Sequence, residues 1–336
     1  MLEASNCDRK PVRPLDGTAR ERLRTAVRDC GWTLCGFAPA RIPAQAQANL
    51  HTWLARDYHG DMAWLAETAA WRAEPHTRFP WAQTAVCVGL AYDRPESREE
   101  GVLPNVSRYA HGRDYHNVAK KRVRRVRQLL YQAGAREVWA SVDAGAVMER
   151  QLAHAAGLGW LGKHTLLLHP EWGSMLFLGV LLTDLLVAAD TPMPDHCGSC
   201  DQCLRACPTD AFVEPGVLDA RRCISYVNIE HRGDWASAGA ETLRGWLHGC
   251  DDCQEACPFV QAARRRQRWG DAAFVPYDRW RDVPLAQLRR LDESAWDRLT
   301  LGSPLRRGGP QRLTRVAQRL AEENDVPAEC GQGETE

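Results

Sequence analysis

The chain has 336 residues, 44% of them hydrophobic, and 43 Lys and Arg balanced against 43 Asp and Glu. That length holds one large domain or two to three smaller ones with a core that needs no disulfide staples. Zero net charge excludes a globally basic nucleic-acid binder, no apolar run nears the ~20 residues that span a bilayer, and Met1 to Arg13 lacks the apolar core of an export signal, so the expectation is a cytoplasmic protein with no membrane partner.

From Thr18 to Cys30 apolar and small residues recur at helical spacing, and Gly31 to Phe37 reads as a turn into a strand. His59 to Leu65 opens a short helix after a glycine turn, and Ala85 to Tyr92, apolar throughout, is a central strand. Asn117 to Tyr131 is a basic helix with Val118, Val126, Leu129 and Leu130 for its buried side. Glu137 to Val142 is a strand ending at Asp143, and a helix is expected from about Ala146 to Ala156. Gly157, Gly159 and Gly162 break that helix, and strands at Thr165 to Leu168 and Leu176 to Leu182 follow. Alternating strands and helices to about residue 190 predict an α/β layer. Pro192-Met193-Pro194 marks a linker into a cysteine-rich segment, and beyond Pro258 the chain is Arg-rich and helical, with a polar, disordered tail from about Asn324. The fold class expected is therefore an N-terminal α/β domain over 1–190, a ferredoxin-like domain over 191–260 and a short helical segment over 261–336.

Eight of the 13 cysteines fall between Cys197 and Cys257. Cys197-x2-Cys200-x2-Cys203-x3-Cys207-Pro208 has the bacterial ferredoxin spacing, in which the fourth cysteine ligates the other cluster of a pair. Cys223 with Cys250-x2-Cys253-x3-Cys257-Pro258 supplies four more thiolates. Two 4Fe-4S clusters follow: Cys197, Cys200, Cys203 and Cys257 hold one, and Cys207, Cys223, Cys250 and Cys253 hold the other. Paired structural zinc sites are the alternative, but zinc rarely uses three closely spaced cysteines followed by Cys-Pro. Cys7, Cys30, Cys35, Cys87 and Cys330 lack ligand spacing. A two-cluster relay needs only about 60 residues of this kind, so the ~190 before it argue for a second redox centre or a substrate site fed by the clusters.

The run Val142-Asp143-Ala144-Gly145-Ala146-Val147-Met148-Glu149-Arg150, followed by Gly157-Leu158-Gly159-Trp160-Leu161-Gly162-Lys163, resembles the epoxyqueuosine reductases. Ser107-Arg108-Tyr109, Asp114-Tyr115-His116, Arg222-Cys223-Ile224-Ser225-Tyr226 and Gly249-Cys250-Asp251-Asp252-Cys253 match in the same order, and the C-terminal part resembles the shorter members. The resemblance implies reduction of epoxyqueuosine to queuosine at the wobble position of tRNA, with cobalamin held base-off and reloaded by the two clusters. Its implied partners are the tRNA anticodon stem-loop and an external electron donor, and a monomer is expected. It makes Asp143 the proton donor, and it implies Arg108, Asp143, Leu167, Leu178, Ser225 and Asp251 as cobalamin contacts. The chain departs from many members at His164, where they carry asparagine after the Gly-Lys.

From position alone Asp143 also reads as the cap of a helix starting near Gly145. Asp114, Tyr115, His116 and Lys163 are secondary candidates for polar contacts to substrate or cofactor. The Gly-x-Gly-x-x-Gly run follows a helix and not a strand, which rejects a dinucleotide fingerprint. Three basic sets could track phosphates: Lys120 to Arg127, Arg264-Arg265-Arg266 with Arg268, and Arg306, Arg307, Arg312 and Arg315. The wobble base would have to leave its stack to reach a metal-centred pocket. The rival readings are a corrinoid reductive dehalogenase, which should carry an export signal, and a non-catalytic electron-transfer protein, which would bind no corrin.

Overall fold

A computed structural model describes residues 14–95, 106–239, 242–280 and 283–325. The expectations placed on Met1 to Arg13, Cys7, Cys330 and the tail beyond 325 lie outside the described residues.

Asp16 caps the first helix, α1 (Gly17–Asp29), by accepting from the Ala19 amide at 2.8 Å, and Leu23 and Val27 bury one side of it. Strand β1 (Leu34–Pro39) follows, then α2 (Ala44–Ala55) and two short helices, α3 (Ala63–Glu67) and α4 (Ala69–Ala73). The central strand β2 (Thr84–Ala91) is buried along its whole length. Asp114 caps α5 (Tyr115–Gln132), whose Tyr115, Ala119, Val126 and Leu130 are buried. Then come β3 (Val138–Val142), α6 (Glu149–Ala155), the two-strand ribbon β4 (Trp160–Leu161) with β5 (Leu167–Leu168), and β6 (Leu176–Thr183).

The main sheet has the order β1-β2-β6-β3, and every pair in it is antiparallel. Its two faces feed different cores. Val86, Val88, Leu90, Phe177 and Leu181 pack with α1 and α5, whereas Ala85, Cys87, Val180 and Leu182 pack with Ala46 of α2 and Leu152 and Ala153 of α6. Helices thus cover both faces, as the strand–helix alternation predicts. The pairing is antiparallel, however, so the rule that seats ligands at the carboxyl ends of parallel strands does not position this site. Helix α2 goes unannounced in the sequence because Ala46 is its one buried residue and the apolar stripe is weak.

Two local expectations are corrected. Helix α6 starts at Glu149 and not near Ala146, with Met148 at its cap making no side-chain bond. Asp143 therefore caps no helix. The glycines thought able to admit a ligand instead admit the chain itself: a Cβ on Gly159 would lie 2.0 Å from the Leu168 carbonyl oxygen, and one on Gly157 2.7 Å from that of Thr191.

The cysteine-rich segment carries α7 (Gln202–Arg205), the hairpin β7 (Phe212–Glu214) and β8 (Val217–Leu218), α8 (Ile224–Ile229), α9 (Asp252–Glu255) and α10 (Pro258–Arg265). Helices α11 (Leu285–Leu288), α12 (Glu293–Thr300) and α13 (Gly309–Asp325) complete the chain, and α13 includes Asn324, where the polar tail was expected to begin. The C-terminal helices share one core with the cluster segment, in which Ile224 and Val227 meet Trp246, Trp280, Leu313, Val316 and Leu320.

Gly36 on β1 lets α6 approach the sheet, since a Cβ there would fall 2.0 Å from the Ala156 carbonyl oxygen. Gly36→Ala is expected to cost about 3 kcal/mol by overpacking, read as a fall of several degrees in the apparent melting temperature of the iron-loaded protein.

Candidate active site and cluster ligands

Asp143 sits one residue past β3 with φ of 61°, a left-handed conformation that aspartate tolerates better than most residues. The turn is closed by the Ala144 amide bonding the Val142 carbonyl at 2.7 Å. Its carboxylate accepts a hydrogen bond from the Tyr115 hydroxyl. The Tyr115 ring is stacked on Phe177 of β6, with centroids 4.2 Å apart and planes 12° from parallel. Burial, and then the Asp143 charge, push the Tyr115 hydroxyl well above its ordinary range, so it stays a donor.

His116 lies beside the same carboxylate, its Nε2 3.8 Å from Asp143. Its Nδ1 meets Asp114 at 2.7 Å and its Nε2 meets Arg307 Nη1 at 3.0 Å. Arg can only donate, so Nε2 is the acceptor and the ring proton resides on Nδ1, a tautomer assigned from these partners. Arg307 is itself 4.0 Å from Asp143. The sequence placed Arg307 only in a phosphate-tracking set. Here it meets a histidine 191 positions away, a proximity that no local pattern signals.

The apolar cover at the start of β6 is incomplete. On the face of β6 that packs on α6, Val180 and Leu182 are buried, but Leu176 and Leu178 are only half-buried, as are Met148, Leu161 and Trp172. Val142 pairs with Gly179, so Asp143 leaves β3 opposite the start of β6, where Leu176 and Leu178 lie, and these side chains offer an apolar bed that fits a flat macrocycle such as a corrin. Leu167 is buried in β5. Two polar atoms nearby in sequence are buried without a partner, Glu149 Oε1 and His164 Nε2. Burial pushes Glu149 up to about 7, with the Asp143 charge adding to the effect. Burial also pushes His164 down to about 4, and its Nδ1 accepts from the Leu166 amide at 3.2 Å.

Behind the acid, Tyr109 touches Tyr115 edge-on at 6.2 Å and bonds His248 Nε2 at 3.0 Å. The Ser107 amide reaches the His248 carbonyl at 2.8 Å. Asp251, buried and pushed up to about 6 by desolvation, accepts from Ser107 Oγ at 2.6 Å and the Arg108 amide at 2.7 Å. The Arg108 side chain points inward, to Glu255 at 2.5 Å and Asp93 at 3.1 Å. Ser225 lies half-buried in the first turn of α8, where its amide and that of Tyr226 favour the Cys223 thiolate.

The electrostatic neighbours of the cluster cysteines run mainly within the two sets assigned from the spacing, with Cys203 of the first set also reaching Cys253 of the second. Burial pushes Cys203 up to about 11, with Cys257, Cys197 and Cys200 as its next causes. Burial raises Cys253 as well, with Cys223 and Cys207 among its charged neighbours. Sulfurs that oppose one another's ionisation need a cationic centre to exist together as thiolates, which is what a cubane supplies. Cys257, with Pro258 behind it, caps α10, and Cys223 caps α8. Cys30, Cys35 and Cys87 are buried.

Several basic residues are spoken for inside the fold. Arg264 pairs with Asp93 and Glu255, Arg122 with Asp271, Arg268 with Glu171 and Arg306 with Asp297. Arg312 donates to the His231 carbonyl, and Arg315 to that of Gly233. Lys120, Lys121, Arg124, Arg125, Arg265 and Arg266 remain exposed. Lys163 donates to carbonyls of the first cluster loop.

Comparisons with known proteins agree with this geometry. Residues 196–260 match a 4Fe-4S double cluster binding domain, and residues 72–144 match the family described as epoxyqueuosine reductase QueG, DUF1730. An epoxyqueuosine reductase of Gloeobacter violaceus is 39% identical over 302 residues, covering 88% of this chain and 94% of that one. Another from Escherichia coli is 37% identical over 309 residues, 90% of this chain and 80% of that one. A solved epoxyqueuosine reductase, in complex with an epoxyqueuosine-modified tRNA-Tyr stem loop, superposes with a TM-score of 0.77 at 25% identity, covering 89% of this chain and 80% of that one.

Glu149 yields a pH prediction. Its folded value of about 7 lies above the ordinary 4.5, so wild-type stability falls as pH rises through that window, whereas Glu149→Gln stays level. The variant's advantage is expected to grow from about 1 kcal/mol at pH 5.5 to at most about 3 kcal/mol at pH 8, measured by denaturant unfolding. An advantage that shrinks with pH would contradict the assignment.

Proposed function

We propose that this chain, which belongs to the epoxyqueuosine reductase family, reduces epoxyqueuosine to queuosine at the wobble position of tRNA with electrons passed through its two 4Fe-4S clusters. The observation that carries this reading is the Asp143 carboxylate, held by Tyr115 at the rim of a half-covered apolar bed, with the second cluster's loop packed behind it.

Opening the epoxide to an alkene consumes two electrons and two protons and releases the oxygen as water. Asp143 delivers one proton to the departing oxygen, and the second comes from solvent as that oxygen leaves as water. Tyr115 aims the carboxylate, and His116, held between Asp114 and Arg307, lines the same mouth. Cobalamin, when bound, would supply two-electron chemistry at its cobalt, and the apolar bed of Leu176 and Leu178 fits one face of its ring. We assign Leu178, the backbone at Leu167, Ser225 and Asp251 to its surroundings. Arg108 contributes by holding the second cluster's loop, since its guanidinium is enclosed.

The tRNA anticodon stem-loop would lie along the exposed cations of α5 and of Arg265 and Arg266, with Arg307 at the mouth of the pocket. Electrons come from an external donor, and the protein acts as a cytoplasmic monomer. Among the described residues no helix is long and apolar enough to cross a membrane.

The test is anaerobic reconstitution with iron, sulfide and cobalamin, followed by nucleoside analysis of epoxyqueuosine-containing tRNA after a reductant is added. Asp143→Asn is expected to keep the cluster and corrin spectra and to lose about 10²–10⁴ in turnover rate. Wild-type turnover in that variant removes Asp143 from the acid role, and no queuosine from the fully loaded wild type overturns the proposed reaction.

A further inference from the structure

We propose that Trp160 and Lys163, which belong to the sheet-bearing half of the chain, set the reduction potential of the first cluster through an indole N–H···S bond to Cys197 and a cation fixed on its binding loop. Trp160 is 1% exposed, and its Nε1 lies 3.4 Å from Cys197 Sγ. The indole cannot turn away, because His196 and Phe259 meet its ring edge-on at 4.9 Å and 4.8 Å. Lys163, three residues on, donates through Nζ to the carbonyls of Gly198 and Cys200 at 2.7 Å and 2.8 Å. Its own carbonyl accepts from the Gly216 amide at 2.8 Å, which ties it to the cluster segment a second time.

In the loaded protein Cys197 Sγ is a thiolate ligand to iron. Reduction adds one electron to the cluster, and part of that charge is spread over the thiolate sulfurs. A donor aimed at one of those sulfurs, and a cation held over the loop that carries two of them, both favour the reduced form and raise the potential. Backbone donors do not distinguish the two clusters: the Phe259 and Val260 amides serve Cys257, while the Ala211 amide reaches Cys207 at 3.3 Å. The indole and the ammonium come from outside the cysteine-rich segment and act on the first set alone. Packing would be satisfied by any aromatic ring at 160, so the nitrogen is what separates a tuning role from a filling one.

The inference rests on Cys197 being an iron ligand and is independent of the tRNA substrate. It is tested by redox titration of both clusters, followed by electron paramagnetic resonance, in the full-length reconstituted protein with its iron content counted. In Trp160→Phe the reduced-to-oxidised ratio of the first cluster at a fixed potential is expected to fall about tenfold, which is ~59 mV for a one-electron couple. The second cluster should stay in place as the internal reference. Lys163→Met shifts the first cluster in the same direction by about threefold, and Lys163→Arg restores it. Full iron content with both midpoints unmoved in Trp160→Phe and Lys163→Met overturns the proposal. If Trp160→Phe fails to load its first cluster, Lys163→Met decides alone. Failure of the wild type to take up iron would instead overturn the cluster assignment itself.

Discussion

Asp93 lies just past the end of β2, Arg108 follows in the loop before α5, Glu255 is placed between two cluster cysteines, and Arg264 projects from α10. Their two carboxylates and two guanidiniums meet in one largely buried pocket, with contacts of 2.5 to 3.1 Å. The Glu255 carboxylate is drawn down to about 2 because Arg264 and Arg108 outweigh the cost of its burial. Such a pocket adds little net stability over an apolar plug, but removing one member strands a charge at a cost of about 3–5 kcal/mol. It fixes the register between the sheet, which carries the acid, and the helices, which carry the thiolates. Everything proposed for this site depends on that register.

The second cluster's loop is joined to the acid by a continuous set of contacts. Asp251 holds Ser107 and the Arg108 amide, the Ser107 amide holds His248, His248 meets Tyr109, and Tyr109 leans on Tyr115. His248, pushed down to about 4 by burial, stays neutral, so it adds no cation to the path. The first cluster's loop is gripped from another side, by the β4 strand and the turn after it. The two cubane sites are therefore anchored to different parts of the sheet-bearing half.

The sequence made the thiolates legible because their spacing is dictated by the inorganic core they surround, and no tertiary context can alter that arithmetic. Helices α1 and α5 were legible too, from their apolar spacing, though the aspartates that cap them were not singled out. Strand pairing was not, because alternating strands and helices are compatible with either direction, and an antiparallel sheet covered on both faces reads like a parallel one. The start of α6 was misplaced for a related reason: Ala144 and Ala146 have helical propensity, but the chain leaves β3 through a left-handed turn at Asp143 and the helix begins only at Glu149. Arg307 illustrates a third limit. Its basic neighbours read as a phosphate-tracking set, whereas its position beside His116 comes from the turn Pro304–Gly308 between α12 and α13.

The backbone at Asp143 has one more implication. A non-glycine residue in the left-handed region carries about 1–2 kcal/mol of conformational strain, and here the Tyr115 hydroxyl helps to hold it there. The loop is in that sense a cocked latch: an incoming group that competes for the tyrosine hydroxyl loosens the catch and lets the main chain recoil. Proton donor and substrate sensor would then be the same few atoms, and an aspartate suits the post better than a glutamate, whose longer stem would need the turn to sit farther from the ring that steadies it.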